Sequence, residues 1–535
     1  MTELSTLDWT ILVVYIIGNL ILGYSLSKRI NTAEDFYLGR KSTPWWAIGV
    51  SVIATYVSAL SFLGAPAWSY TDGLSVIAIH LNYPLVIVLV VALFLPFFYN
   101  SGVASIYEYQ ERRFGKKARG MVSLIWLTSQ ALTSAAILYA TSLVLEFITG
   151  IDVIHAIVIV TVIALIYTAL GGITAVIWTD VIQAAVLFVG AFIIFFALLE
   201  NLPMPLAETL AELKSQGKTN PLNFSTDWSN VTTAWSGIVA MTLFHVTVYG
   251  TNQMMVQRTL ACKSIGDAKK SYYLMGFTAF FIYFLFIFLG ILFYSYYGGK
   301  EFENGNTIIL QFAADYALPG LMGIIAAAVM AASMSSLDSA FNSLSTVSTI
   351  DFYQKYFVKD ASPQHYLKVT RIFTGIWALV IIVPAIMYSK STGSILETLS
   401  QVGSYFVGAQ LGMFALGFFS KHASERGVLV GTLVGFLVVW YVAMNTDIAW
   451  PWYCLIGAVT NFTVSTIASI VMDGFKSSWS PYSIRGQLDK FRNEGLEEKD
   501  GGWYVVPGKV DRLSYVLLAF FFVMLGSLWL FDYVI

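Results

Sequence analysis

Long apolar stretches alternate with short polar connections along nearly the whole chain. A helix that crosses a bilayer needs about 20 mostly apolar residues, and fourteen stretches reach this length. They lie at roughly 8–27, 44–68, 75–99, 118–148, 153–172, 173–199, 233–258, 267–297, 319–345, 366–388, 393–419, 423–443, 448–472 and 513–531. The pattern predicts an all-α polytopic membrane protein with about 14 transmembrane helices.

Lysine and arginine predict the orientation of these helices, because both accumulate in cytoplasmic loops. With the N-terminus outside, all but four of the 30 lysines and arginines fall in inner loops; the exceptions are Lys214, Lys218, Lys300 and Lys390. We therefore expect a multi-pass protein of the plasma membrane with both termini outside the cytoplasm. The charged inner segment 473–512 is rich in Gly, Ser and Pro, which favours a solvated linker over a regulatory docking site.

Composition narrows the class of protein. Only 12% of the 535 residues are charged, whereas a soluble protein carries about 25%. The net charge of −2 offers no basic surface for phosphate. These values exclude a cytosolic enzyme, a disordered protein and a nucleic-acid binder. Cys262 and Cys454 stand in unlike contexts and indicate no disulfide framework.

Ionisable residues inside predicted spans are costly and mark candidate functional sites. No Lys or Arg lies deep in a predicted span, and the deep carboxylates are Asp180, Asp338 and Glu397. Asp180 and Asp338 each lie about seven residues from the inner end of a span. At 1.5 Å per residue, both are expected roughly 10 Å above the cytoplasmic boundary.

The stretch SMSSLDSAFNS (333–343) surrounds Asp338 with hydroxyl groups. Ser335, Asp338 and Ser339 share one helical face, since they are three and four residues apart, and Ser336 adds a further hydroxyl. Hard cations such as Na⁺ prefer oxygen ligands of this kind. The alternative is that these small residues serve close helix packing. The added carboxylates favour a cation site.

Two predicted spans contain weak points. ATYVSALSF (54–62) is followed by Gly64, Ala65 and Pro66, and HVTVYGTNQ (245–253) contains Gly250. Such interruptions expose backbone carbonyls where a helix lines a cavity. They lie five segments apart, so segments two to six and seven to eleven are candidate repeats. An odd number of helices per repeat would invert their topology, and substrate and ion would bind between the broken helices near the midplane.

Five blocks carry a specific resemblance: ATYVSALSF, FLPFFYNSGVASIYEYQERRF (94–114), GGITAVIWTDVIQ (171–183), GTNQMMVQRTLACKS (250–264) and SMSSLDSAFNSLSTVSTIDFY (333–353). With them the chain resembles the solute:sodium symporter family, which includes the sodium/glucose, sialic acid and monocarboxylate cotransporters. The resemblance implies a LeuT-type core of five-plus-five inverted repeats, with Na⁺ as the coupling ion. It also implies an extra helix and inner loop at 1–43, a transport core at 44–420, and three C-terminal helices at 421–535.

The resemblance implies two sodium sites. The shared site maps to the carbonyls of Ala54, Val57 and Ala332 and to the hydroxyls of Ser335 and Ser336. A second site, found in some members, maps to Asp180, Ser335 and Ser339. Asp338 stands where a serine or threonine is usual in the family. An added carboxylate could strengthen the second site, or it could take a proton.

The resemblance also implies substrate positions. His80 stands where the sialic acid members have a glutamine, and Thr133 stands where those members have an arginine that grips the substrate carboxylate. His245 stands where the galactose member has an asparagine. Two histidines at such positions favour ligand contact over simple packing. The full set of expected substrate contacts is Tyr56, Ser58, Ser61, His80, Thr133, His245 and Tyr249.

We therefore predict a sodium-coupled symporter in the lipid bilayer that imports a small polar organic solute, with a sugar or polyol favoured. The alternative is a small organic anion of the monocarboxylate, vitamin or sialic acid type. A channel or sensor on the same scaffold is a remote alternative. No HExxH, GxSxG or paired catalytic aspartate motif indicates an enzyme. Expected partners are the solute and sodium ions, with no nucleic acid.

Overall fold

The computed structural model describes residues 4–27, 32, 36–37, 41, 43–101, 103, 105–316, 318–390 and 394–534. These residues are mostly helical, with one two-stranded hairpin. The α-helices of the first half are α1 (Thr6–Ser27), α2 (Trp45–Tyr56), α3 (Ala65–Asp72), α4 (Tyr83–Leu89), α5 (Leu95–Ser101), α6 (Glu108–Arg113), α7 (Lys116–Thr149), α8 (Val153–Glu200), α9 (Leu206–Ser215), α10 (Met241–Gly250) and α11 (Gln253–Leu260).

The second half continues with helices that pack beside and beyond the first set. They are α12 (Ile265–Tyr296), α13 (Ile308–Tyr316), α14 (Leu321–Val347), α15 (Pro363–Val380), α16 (Ile382–Tyr388), α17 (Ile395–Phe419), α18 (Glu425–Asn445), α19 (Pro451–Asp473), α20 (Ile484–Glu494) and α21 (Arg512–Val534). The antiparallel hairpin joins β1 (Lys499–Asp500) to β2 (Trp503–Tyr504). Short 3₁₀ helices span Gly73–His80 and Gly305–Thr307, and π-helical segments span Leu60–Gly64, Val90–Phe94, Ser236–Ala240 and Ser348–Phe357.

Within the described residues, ten helical stretches are long and apolar enough to cross a membrane, and four shorter apolar helices accompany them. Each of the fourteen predicted segments overlaps one of these stretches. The all-α membrane class is confirmed. The number of crossings stays a prediction, because the single stretch Leu60–Asn100 contains parts of two predicted segments. The domain division and the orientation of the termini also stay predictions, and most of the predicted inner loop after α1 lies outside the described residues.

Helix α8 shows why two spans were predicted where one continuous helical stretch is found. Its 48 residues would measure about 72 Å if straight, far more than a bilayer. Gly172 interrupts the helix with φ 55° and ψ −178°. Only glycine adopts this backbone conformation readily, so the residue sets the boundary between the predicted segments 153–172 and 173–199.

Both predicted weak points are real interruptions. Helix α2 ends at Tyr56, and Val57 leaves the helical region with φ −80° and ψ 87°. Helix α10 ends at Gly250, and α11 restarts after Asn252, whose side chain accepts a hydrogen bond from the Met254 amide. The last carbonyls of α2 and the first amides of α11 therefore lack helical partners. These are the groups available to ions and polar solutes.

Helix α14 lies at the centre of the packing. It contacts α8, α7, α2 and α1, and nearly all of its residues are buried. A helix that is polar along one face and yet buried must place its hydroxyls and carboxylate against partners in neighbouring helices. The core therefore brings Ser335, Ser336, Asp338 and Ser339 into contact with other chain segments.

The start of α7 and the π-helical segment that follows α14 are tied together by charged groups. Arg119 pairs with Asp351, which also accepts a hydrogen bond of 2.6 Å from Ser105. Glu111 pairs with Arg119 at 2.8 Å and with Lys355 at 2.5 Å. Burial alone would raise the pKa of Glu111, but the hydrogen bonds from Lys355 and Arg119 hold that pKa below its ordinary value.

The segment 473–512 is folded against the core, so the prediction of a solvated linker is wrong. It contains α20 and the hairpin, and Lys269 of α12 forms a buried ion pair with Asp511 at 2.5 Å. Trp503 packs so closely on Gly266 that a Cβ at that glycine would lie 2.6 Å from the indole. The polar composition of segment 473–512 did not predict these contacts, because only a few of its residues anchor it to the core.

Candidate functional site

A cavity of about 130 Å³ lies beside the break in α2. Apolar and aromatic side chains form part of its wall, including Trp68, Trp126 and Phe244. No Lys, Arg, Asp or Glu is among its described lining residues. Its polar lining consists of Thr55, Tyr56, Ser58, Ser61, His80, Ser129, Gln130, Thr133, His245, Thr247, Asn252, Tyr283, Ser400 and Gln410.

The structure brings six of the seven predicted substrate residues to this cavity: Tyr56, Ser58, Ser61, His80, Thr133 and His245. Tyr249 is the exception. It is fully buried behind Tyr56, with the ring centroids 5.4 Å apart, and its hydroxyl has no hydrogen-bond partner within the described chain. The roles of all seven stay predictions, but Tyr249 does not line the cavity.

Hydrogen bonds fix the protonation of His245. The amide nitrogen of Asn82 donates to the carbonyls of Ile79 (2.8 Å) and Gly237 (3.1 Å), so Asn82 Oδ1 is an acceptor. His245 Nδ1 lies 2.6 Å from this oxygen and must carry the proton. In the neutral ring Nε2 is then an acceptor, and it receives the hydroxyl of Tyr56 at 2.6 Å. The imidazole thus links the broken α2 to α10.

His80 lines the cavity, and one of its ring nitrogens has no hydrogen-bond partner among the described residues. Its ring stacks on Tyr283 with centroids 3.6 Å apart and planes 9° apart. Nδ1 lies 2.9 Å from the Tyr83 hydroxyl, while Nε2 is buried without a partner among the described residues. A buried polar atom left unpaired is costly, so this nitrogen is suited to a hydrogen bond with a bound solute.

The predicted shared sodium site lies where α14 crosses the end of α2. The Ser336 hydroxyl hydrogen-bonds the carbonyl of Thr55 at 2.9 Å and that of Ala332 at 3.2 Å. The structure therefore brings the hydroxyl of α14 beside the backbone turn that holds Ala54 and Val57. The ligand roles of Ala54, Val57, Ala332, Ser335 and Ser336 stay predictions.

Asp180 lies on the other side of this crossing, at the second predicted site. Its Oδ1 accepts a hydrogen bond of 2.5 Å from Ser335, and Oδ2 accepts one from Ser51. Arg258 reaches the same carboxylate at 3.3 Å and also donates to Ser51 and Ser339. Both members of the ion pair are fully buried. A cation of the protein thus neutralises Asp180.

The sequence analysis missed Arg258. The charge pattern predicted an inner loop at this residue and no Lys or Arg deep in a span, whereas Arg258 is fully buried in α11. Its position at the very end of a predicted span was the available signal. Glu397 was predicted to lie deep in a span, but it lies in the first turn of α17, at a helix end.

Several cavity residues were also missed, among them Gln130, Asn252 and Gln410. Asn252 accepts a hydrogen bond from Trp126 at 3.0 Å, and Gln410 donates to the carbonyl of Thr251 at 2.6 Å. All three are polar residues inside apolar spans, a pattern that marks pathways in membrane proteins. That pattern alone could have found them.

Asp338 turns away from the Asp180 cluster. Its Oδ1 accepts a hydrogen bond of 2.6 Å from Thr168 in the first limb of α8, and Oδ2 has no partner among the described residues. Asp180 and Asp338 share no hydrogen-bonding residue. Of the residues predicted for the second site, the structure brings Asp180, Ser335 and Ser339 together and leaves Asp338 apart.

Comparison with known proteins places the chain in a family. A model of the sodium:solute symporter family matches residues 36–435. The sodium/sialic acid symporter SiaT of Proteus mirabilis is 29% identical over 86% of this chain and 95% of its own length. Sodium-coupled monocarboxylate transporter 1 of Homo sapiens is 30% identical over 78% and 70%. The sodium/glucose cotransporter of Vibrio parahaemolyticus is 28% identical over 80% and 84%.

Solved structures show the same architecture. The substrate-bound, outward-open structure of a Na⁺-coupled sialic acid symporter has a TM-score of 0.81 and 28% identity, and the match covers 89% of this chain and all of that one. Mhp1, a nucleobase-cation-symport-1 family transporter, has a TM-score of 0.53 at 14% identity over 83% of this chain and 96% of its own. The second likeness concerns the fold alone. The predicted LeuT-type core is confirmed.

Proposed function

The chain belongs to the sodium:solute symporter family, and we propose that it imports a small neutral solute rich in hydroxyl groups, a sugar or a polyol. The observation that carries this proposal is the cavity lining, which combines many neutral donors and acceptors with aromatic faces and contains no charged residue among those described. Hydroxyl groups both donate and accept hydrogen bonds. Neutral histidine, amide and hydroxyl side chains match them without the cost of burying an uncompensated charge.

Individual atoms support this choice. His80 lines the cavity with one ring nitrogen unpaired, and its ring and that of Tyr283 add aromatic surface to the wall. Thr133 lines the cavity where an arginine would grip a carboxylate, and its hydroxyl is bound to the Ser129 carbonyl at 3.0 Å. A carboxylate in this cavity would therefore meet no fixed positive charge from the described lining.

Sodium is the coupling ion of this family. We assign one ion to the carbonyls of Ala54, Val57 and Ala332 with the hydroxyls of Ser335 and Ser336. An ion there would join α14 to the broken α2 and hold the outer side of the cavity open until the solute binds. The repeats would then rock and open the cavity inward, where cytoplasmic sodium is low.

A second ion would bind Asp180 with Ser335 and Ser339. Because Arg258 already pairs with this carboxylate, we propose that sodium and the guanidinium compete for it. Each sodium charge that crosses an inside-negative membrane contributes about 2.3 kcal/mol per 100 mV. Two ions would therefore concentrate a neutral solute far more strongly than one.

A small organic anion is the second candidate, because relatives that match over most of their length are named sialic acid and monocarboxylate symporters. This alternative needs a positive group at the cavity. His80 would have to become protonated to supply one. A channel or a sensor on the same scaffold would instead move or detect solute without coupling to sodium.

Uptake into proteoliposomes under an inward sodium gradient tests these candidates. The labelled solutes would include galactose, glucose, myo-inositol, N-acetylneuraminic acid and lactate, with N-methylglucamine replacing sodium in the control. We expect sodium-dependent accumulation of a neutral sugar or polyol, which unlabelled carboxylates do not inhibit. Accumulation of only the carboxylates would establish the anion alternative, and equilibration without sodium would establish a channel.

The variant His80→Phe tests the role of this residue directly. It keeps an aromatic ring stacked on Tyr283 but removes the unpaired Nε2. We expect its half-saturation constant for the solute to rise about tenfold, as for a lost hydrogen bond of ~1.4 kcal/mol. His365→Phe is the matched control, because His365 lies on α15 and is not among the described lining residues. Equal effects in both variants would contradict the role of His80.

A further inference from the structure

A second polar cluster lies outside the cavity and apart from the hydrogen-bonded group around Asp180. It surrounds Asp338 where α1, the helix that precedes the core, packs against α8 and α14. Tyr15 and Asn19 come from α1, and Gln183 comes from the second limb of α8. The Tyr15 hydroxyl lies beside Gln183 and Asn19, and both Asp338 and Asp180 are close enough to act on it electrostatically. With Thr168, which hydrogen-bonds Asp338, five residues therefore meet where these helices pack together.

Most polar atoms of this cluster have no partner. Asp338 is fully buried and Gln183 is 1% exposed. The buried atoms without a hydrogen bond among the described residues include Tyr15 Oη, Asn19 Oδ1, Gln183 Oε1 and Nε2, and Asp338 Oδ2. Folded proteins leave few such groups, and a concentration of them indicates an unseen ligand.

The chemistry of these groups selects a class of ligand. The cluster contains one carboxylate, two carboxamide oxygens, a phenol and the Thr168 hydroxyl, and hard cations prefer such oxygens. A single positive charge would balance Asp338. A divalent ion would leave an uncompensated charge in the membrane interior, which is costly.

We propose that Tyr15, Asn19, Thr168, Gln183 and Asp338 form a further sodium site, separate from the site at Asp180. Among the described residues the two carboxylates have different hydrogen-bonding partners, so each ion would have its own ligands. The site fastens α1 to the core helices. The proposal extends the sodium coupling proposed above, but the binding of sodium to it can be measured without a transported solute.

The test is equilibrium binding of ²²Na⁺ to the purified full chain in detergent, with stoichiometry and affinity determined for each variant. We expect Asp338→Asn to bind one sodium ion fewer than the wild type. Gln183→Leu should weaken one ion by about tenfold or more, since polar ligands to a charged group contribute strongly. Asp180→Asn should lose a different ion, so the double variant with Asp338→Asn should lose two.

Gln110→Leu is the matched control for Gln183→Leu. Gln110 is also fully buried with an unpartnered carboxamide, but it lies on α6, away from α1 and α14. It should bind sodium as the wild type does. If Asp338→Asn does not fold, Gln183→Leu and Tyr15→Phe still test the site.

The outcomes are distinct. Unchanged sodium number and affinity in Asp338→Asn and Gln183→Leu would overturn the proposal and assign the cluster to ordered water. If Asp338→Asn bound sodium as the wild type does but lost a pH dependence of transport that the wild type shows, the sodium proposal would be overturned in favour of a proton site. If the wild type bound no sodium at all, the sodium assignments of the proposed function would fail as well.

Discussion

The buried ion pair of Arg258 and Asp180 connects packing directly with sodium binding. Its atoms are 3.3 Å apart and neither side chain is exposed. Removing one member of a buried pair leaves an uncompensated charge and costs about 3–5 kcal/mol. Arg258→Met should therefore destabilise the protein by about this amount when sodium is absent.

Sodium should recover most of this loss, because it would replace the guanidinium beside Asp180. A ligand present at 100 times its Kd stabilises the folded state by about 2.7 kcal/mol. The assay is the apparent melting temperature of purified protein in detergent, measured in sodium chloride and in N-methylglucamine chloride at equal ionic strength. We expect a larger rise on adding sodium for Arg258→Met than for the wild type.

Two variants serve as controls. The double variant Arg258→Met, Asp180→Asn carries no buried charge at this position, so it should regain stability but lose the extra response to sodium. Lys269→Met breaks another deeply buried pair, Lys269–Asp511 at 2.5 Å, and should be destabilised without a larger sodium response. If sodium stabilised Arg258→Met no more than the wild type, competition at Asp180 would be refuted.

Three further variants test other contacts. Tyr56→Phe should lower stability by about 1–3 kcal/mol, because a buried imidazole nitrogen loses its donor, whereas Tyr249→Phe removes an unpartnered hydroxyl and should leave the melting temperature unchanged. The pKa of Glu111 is lowered in the folded protein, so the ionised carboxylate stabilises the fold. This stabilisation should be lost as the pH falls below the ordinary value of 4.5 towards the folded pKa. Glu111→Gln should lose less stability than the wild type over that pH range, and equal losses in the two proteins would contradict this. Gly290→Ala should cost about 1–3 kcal/mol by overpacking, because its Cβ would lie 2.3 Å from a backbone oxygen of α3. Gly526→Ala, with open space around it, should be neutral by the same measurement.

The sequence predicted the elements of the fold because apolar runs of membrane length can only become helices in a bilayer. It also located both interruptions, after Tyr56 and after Gly250, since small polar residues and glycine weaken a helix at those points. Asp180, Ser335 and Ser336 were found for a similar reason: few polar groups occur in such spans, so each is conspicuous.

The periodicity of apolar residues does not predict contacts between segments that are distant in the chain. The spacing of Asp338 and Ser335 along α14 suggested one shared site, yet Asp338 faces α1 and α8. The polar composition of 473–512 suggested a solvated linker, yet the segment folds on α12. In each case the partner is supplied by a helix far away in the chain, and spacing along one helix carries no information about it.

The sequence by itself determined which stretches are apolar and long enough to form membrane helices, where two helices break, and which polar groups enter the apolar interior. Hydrophobicity and local backbone preference act on each segment separately, so these features are readable from the chain. Only the tertiary structure decided that Arg258 neutralises Asp180, that Asn82 fixes the proton of His245, and that Asp338 belongs to a separate cluster. Those facts depend on how α1, α8, α11 and α14 pack, because a buried charge or proton is defined by the atoms that surround it.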